Sequence, residues 1–254
     1  MDLLPALLIL CPLVFLAGLI DSIAGGGGLI SLPAYMVLGL PPHTALGSNK
    51  FSSTFGTFVA NVRYFKSGRI ELRVGAVSVP AALLGSFAGA HVVQLVNDEF
   101  LRYLLLIIVP IIAVFVLMNK NLGSENRFSE LKFSYAAIVA VAASLVIGFY
   151  DGFFGPGTGT FLLLVFSLLL KLDLVTASGN AKLVNLATNV AALVTFIRFS
   201  HVAFALAIPA AICGIVGNYV GSGLAIKRGT KFIRPVFVFA LVLLIGYLAV
   251  DMLF

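Results

Sequence analysis

Runs of apolar residues about as long as a bilayer is thick follow one another along this chain almost without interruption. Ten such segments cover approximately residues 3–23, 29–40, 44–65, 72–95, 100–118, 133–153, 159–172, 176–197, 201–225 and 232–252. A helix needs about 20 residues to cross the hydrocarbon core. Eight segments reach that length; the second and seventh, with 12 and 14 residues, fall short, and each follows a glycine-rich break. Charged residues make up only 10% of the chain, against about 25% in a soluble domain. Such a surface cannot be solvated by water, so the chain reads as an all-α polytopic membrane protein with 8–10 transmembrane helices, two of them short or broken. Leu3 to Ile20 lacks the positive n-region of a secretory leader, carrying Asp2 instead, and reads as a retained first span. Cys11 and Cys213 both lie inside apolar runs and imply no disulfide framework. The net charge of +6 is gathered in a few loops, which suits membrane topology and not nucleic-acid binding.

The longest polar connection, Asn119 to Lys132, separates two halves that resemble each other. Asp21 precedes Gly25, Gly26, Gly27 and Gly28, and Asp151 precedes Gly155, Gly157 and Gly159. "TALGSNK" (Thr44–Lys50) matches "TASGNAK" (Thr176–Lys182), and "PAALLG" (Pro80–Gly85) matches "PAAICG" (Pro209–Gly214). "FLR" at Phe100 then matches "FIR" at Phe232, in the same order throughout. The expected organisation is a first repeat (1–118), a cytoplasmic linker (119–132) and a second repeat (133–254) within one membrane domain. Basic residues concentrate at Arg63, Lys66, Arg69 and Arg73, at Lys120, Arg127 and Lys132, and at Lys227, Arg228, Lys231 and Arg234. The positive-inside rule puts all three groups in the cytoplasm if all ten segments cross. The halves are then inverted, five segments each, with both termini outside.

Inverted repeats with short, glycine-interrupted segments at matching positions are the pattern of secondary transporters, with the site near the midplane. A glycine break ends one helix and starts another, and the freed N–H groups of the new N-terminus can face an anion. Lys50 shares a helix face with Ser53 and Thr57, and Lys182 shares one with Asn185 and Asn189. Asn49 and Asn180 add amides nearby. A lysine ammonium donates and cannot accept, so a pair of lysines favours anionic oxygens such as sulfonate, sulfite or carboxylate. The plainer reading pairs each lysine with an aspartate structurally, Asp21 with Lys50 and Asp151 with Lys182. Asp21 and Asp151 could also cap the short helices or take up the proton that drives transport. His43, His91 and His201 have no metal-ligand spacing. No phosphate-binding loop, H-E-x-x-H, C-x-x-C or G-x-S-G is present, so neither enzyme, metal centre nor cofactor is expected.

"GLIDSIAGGGGLISLP" and "TALGSNK" in the first half, with "GFYDGFFGPGTGTF" and "ASGNAKLVNLATN" in the second, resemble the TauE/SafE sulfite exporters, also called the toluene-sulfonate uptake permease family. The resemblance covers essentially the whole chain. It implies a bacterial cytoplasmic-membrane transporter of small anions, with members linked to sulfite, sulfonates, sulfoacetate and related organosulfur compounds. The family's motif falls on Asp21, Gly25 to Gly28, Asn49 and Lys50, and on Asp151, Gly155, Lys182 and Asn185. The second half departs from it by placing Ala181 between Asn180 and Lys182. The family's usual count of about eight spans differs from ten. The expectation is therefore alternating-access transport of a small sulfur or organic anion within the lipid bilayer. A coupling ion (proton or sodium) and a homo-oligomer are both allowed. An anion channel and a non-transporting subunit are the rivals.

Overall fold

A computed structural model describes residues 3–97, 99–100, 126–229, 232 and 235. Nearly all of the fifth and tenth apolar segments and about half of the linker lie outside these described residues. Half one contributes α1 (Leu3–Ala24), α2 (Gly28–Val37), α3 (Pro42–Lys66) and α4 (Leu72–Val93). After a 3₁₀ turn at Phe128–Glu130, half two contributes α5 (Phe133–Phe153), α6 (Thr158–Leu168), α7 (Leu174–Arg198) and α8 (Phe204–Arg228). No strand occurs among the described residues. Each helix lies within a few residues of its expected segment, because hydropathy changes abruptly at the polar breaks.

Among the described residues five helices, α1, α4, α5, α7 and α8, are long and apolar enough to cross a membrane. α3 has 25 residues but is too polar to qualify by composition. Its Ser48, Asn49, Lys50, Ser52, Thr57 and Asn61 are all buried, so this polarity faces protein and not lipid. The outward surface is apolar: Leu8, Leu84, Ile138, Val146 and Ile212 are each at least 60% exposed. In water such a surface would aggregate; against lipid tails it is the expected finish.

The short segments shrink further on inspection. α2 has 10 residues and α6 has 11, so each is about 15–17 Å long, half the hydrocarbon thickness. Neither crosses alone, which corrects the reading of ten full crossings. α2 nevertheless reverses direction against α1. Gly27 lies beside Asp21 and Ala17, while Tyr35 joins Leu10 in one apolar cluster. A half-length helix thus returns the chain towards its starting face, so the alternation of direction is kept.

Helix directions follow from the contacts. α3 and α7 run antiparallel, with Gly47 by His201, Lys50 by Asn189 and Asn61 by Lys182. α1 and α8 run parallel, as do α4 and α5. In both parallel pairs glycines allow the backbones to touch: a Cβ on Gly85, Gly89 or Gly152 would fall on a carbonyl of the facing helix, as would one on Gly217 or Gly221. Lipid is as apolar as leucine, so close van der Waals contact between small residues, not escape from water, holds these helices together. The basic ends gather on one face. Arg63 donates to the Tyr219 carbonyl near the end of α8 and stacks on its ring 4.1 Å away, and Arg69 abuts Gly179 near the start of α7. Glu71 and Arg73 share a cavity with Phe128 and Phe133. His43 and His201 mark the opposite face, their rings 5.3 Å apart. Between these faces lie two apolar clusters, one around Tyr64, Leu162 and Phe166, the other around Tyr35, Leu46 and Phe196. A polar centre separates them.

Candidate functional site

The glycine breaks build that centre. Gly25 and Gly26 have φ of +79° and +86°, and Gly155 and Gly157 have +101° and +86°. This left-handed backbone favours glycine. The two breaks also press together: a Cβ on Gly25 would overlap Gly159 and the backbone N of Thr160. Only the absence of side chains lets the two chain reversals occupy one place. Gly27 and Gly28 are right-handed or unrestricted; Gly27 is needed for its approach to Asp21, and Gly28 has ordinary space.

Ending α1 here leaves carbonyls without helical partners, a cost that must be met inside lipid. Three hydroxyls meet it. Tyr64 donates to Ser22 O at 2.8 Å, Ser178 to Ile23 O at 3.1 Å and Thr160 to Ala24 O at 3.3 Å. On the other break, Tyr150 donates to Pro156 O at 2.6 Å. None of these four stood out in sequence, where a lone hydroxyl in an apolar run carries little signal.

The ends of both half-helices, at Gly26, Gly28, Gly157, Thr158 and Gly159, open on one small cavity. Asp21, Asn49, Lys50, Ser53, Asp151, Gly155, Asn185 and Asn189 complete its lining. Most of the expected site therefore converges on one point from both halves. The cavity volume is about 20 Å³, room for roughly one water. Thr57 and Asn180 lie elsewhere, buried in their helices; Asn180 donates to its own Thr176 carbonyl. Gly25 and Gly27 shape the loop without lining this cavity.

The ion pairs cross between halves, correcting the pairing expected from sequence. Lys50 Nζ lies 2.7 Å from Asp151 Oδ2, off the ideal hydrogen-bond direction, and donates to Asn189 Oδ1 at 3.2 Å. Lys182 Nζ donates to Asp21 Oδ2 at 2.6 Å. Asp21 Oδ1 also accepts from Gly27 N–H at 3.2 Å, so this carboxylate caps the following half-helix, where the dipole favours negative charge. Asn189 donates to Asn185 Oδ1 at 2.7 Å, and Ser31 to Asn49 Oδ1 at 2.6 Å. Two ammoniums and two carboxylates thus balance at the centre. An arriving anion finds helix N-termini, amides and Lys50; Lys182 does not line the cavity but holds Asp21, which does, so each lysine is already paired with an aspartate. Among the described residues no cluster of His, Cys, Asp and Glu suits a metal ion.

A bundle of lipid-facing helices around paired half-helices and a buried charged centre defines a multi-pass membrane transporter. Comparison with known proteins makes this particular. The sulfite exporter TauE/SafE profile matches residues 10–248, and the chain belongs to that family. It is 37% identical over 223 residues to the probable membrane transporter protein YfcA of Escherichia coli K12, covering 88% of this chain and 82% of that one. It is 34% identical to the probable membrane transporter protein ORF9 of a Sinorhizobium species, covering 93% and 90%. A probable membrane transporter protein of Haemophilus influenzae is 32% identical, with 88% and 87% covered. No solved structure matches. The chain is a multi-pass bacterial membrane protein.

Proposed function

We propose that this protein carries a small oxyanion, sulfite or an organic sulfonate, across the membrane by alternating access and without chemical conversion. The observation that carries the reading is the crossed pair of buried ion pairs beneath two half-helix N-termini. Removing two lysines and two aspartates from water is expensive, and a purely structural core would be served as well by apolar residues. An anion would enter by displacing one or both aspartates, its oxygens accepting hydrogen bonds from the released ammonium groups and from the N–H groups of Gly26, Gly28, Gly157, Thr158 and Gly159. Matching helices that run in opposite directions support two inverted repeats, and such a pair can open the centre to either face in turn. The small volume of the cavity, about 20 Å³, favours a carrier over an open channel. Sulfur oxyanions as cargo rest on the family's name.

The test is calorimetric binding to purified protein in nanodiscs with sulfite, taurine, sulfoacetate, toluenesulfonate, acetate and sulfate. Saturable binding of one anion is expected in the wild type and lost in Lys50→Ala and Lys182→Ala. Asn185→Ala, which leaves both ion pairs intact, should weaken binding while the protein stays folded. Binding indifferent to all three substitutions would overturn the lysine site.

A further inference from the structure

A second cavity, also about 20 Å³, lies beside the first and is lined by Val14, Ala17, Gly18, Asp21, Gly27, Ser31, Ser52, Ser53, Gly214 and Asn218. Asp21 and Ser53 border both cavities and form the wall between them. The lining of the second is rich in acceptors. Asn218 is 3% exposed, its Nδ2 donates to Gly214 O at 2.9 Å, and its Oδ1 has no partner. That carbonyl bond fixes which way the amide faces. Ser31 commits its hydroxyl proton to Asn49 Oδ1 and the Gly27 carbonyl, and Ser52 donates to backbone carbonyls while accepting from the Tyr35 hydroxyl at 3.2 Å, which leaves Ser52 one oxygen lone pair. Asp21 brings the carboxylate. The slot is built for the amide, since a Cβ on Gly18 or Gly56 would collide with Asn218 Nδ2.

The symmetry-related place beside Asp151 carries no such arrangement. Counting from the matched prolines, Asn218 stands nine residues after Pro209, and Gly89 stands nine after Pro80. A Cβ on Gly89 would fall on the Phe149 carbonyl, so no side chain fits. Where Asp21 is 16% exposed, Asp151 is only 2% exposed.

From this asymmetry we infer a binding site for one small monovalent cation, sodium by size, between Asp21, Ser31, Ser52 and Asn218. A cavity that presents an unpartnered amide oxygen, hydroxyl oxygens and a carboxylate suits a cation, and its volume admits a single ion. One carboxylate, already shared with Lys182, suits a single positive charge. A cation on Asp21 competes with Lys182 for the same oxygens. The displaced ammonium then faces the central cavity, and an anion there restores neutrality. Either ion entering alone would leave an uncompensated charge in a low-dielectric interior, so the two favour entry together. The inference deepens the carrier reading and rests on it for its consequence, whereas cation binding can be measured without any anion.

The experiment uses the full chain in nanodiscs, with radioactive sodium binding and thermal shift in sodium chloride against choline chloride at equal ionic strength. Saturable sodium binding and a sodium-specific rise in Tm are expected in the wild type. Asn218→Leu should lose both. Asn218→Asp, which keeps an oxygen in the slot, should retain them even if Asn218→Leu folds poorly. Sodium should also tighten anion binding at least about tenfold, within the usual range of coupling between sites. Equal behaviour in sodium and choline, or sodium binding indifferent to Asn218→Leu, would overturn the inference. Sodium-independent anion binding would overturn the coupling while sparing the carrier; sodium binding retained in Lys50→Ala without anion binding would spare the cation site alone.

Discussion

Asp21 and Asp151 hold matching places in the two halves, each ahead of a glycine break and each bound to the other half's lysine, yet their surroundings differ. Asp151 is almost sealed, its lysine further held by Asn189. Asp21 caps a helix, touches two cavities and keeps a share of its surface accessible. Similar sequence motifs on a repeated scaffold have produced one fully buried pair and one whose carboxylate keeps part of its surface accessible, so a duplicated ion pair does not oblige both copies to share one environment.

Replacing one partner of the sealed pair is the strongest way to break this contrast. Lys50→Met leaves Asp151 buried without its cation and should cost about 3–5 kcal/mol, read as a fall in Tm in nanodiscs. The double variant Lys50→Met/Asp151→Leu should recover most of that loss. Asp21→Asn should cost less than Asp151→Asn, and an equal cost for the two would remove the asymmetry. Next in size, Gly25→Ala puts a methyl group on a positive-φ residue and onto the facing break, a cost of roughly 2–4 kcal/mol. Gly28→Ala, with ordinary space around it, should stay within about 1 kcal/mol, which separates backbone demand from mere glycine content. Smallest is the surface cluster at the loop. Glu130 accepts from Arg127 and Lys171, and these bonds hold its carboxyl down at about 2. A carboxyl depressed in the folded state adds stability that is present above its ordinary value near 4.5 and disappears as pH falls towards 2. Glu130→Gln should therefore flatten only the acid limb of a Tm–pH curve, because exposed pairs contribute little.

Much of the site was legible before the fold. The two lysines, the asparagines at 185 and 189, and both glycine breaks stood out because polar and flexible residues are conspicuous in an apolar chain. Thr57, expected on the helix face of Lys50, Asn180, expected nearby as an amide, and Lys182 line neither cavity, since spacing along a helix does not say how far a side chain reaches. Asn218 escaped notice because "GIVGNYVG" reads as an ordinary small-residue helix. The spacings "GSFAG", "GFYDG" and "GNYVG" did contain the close helix contacts, a small-xxx-small signal available in the sequence. Tyr64, Ser178 and Thr160 offered no comparable pattern.

Sequence alone determined the solvent, the helix limits and the stock of polar groups destined for the interior. Each is a local property: hydropathy and glycine content are set residue by residue and read along the chain. Tertiary structure alone decided which aspartate meets which lysine, how closely the breaks approach, and which carboxylate stays reachable. Those outcomes depend on helix direction and on separations between residues far apart in the chain, 139 positions for Lys50 and Asn189 and 161 for Asp21 and Lys182. There the shape of the neighbouring backbone, glycine against carbonyl, selects among partners that are chemically the same.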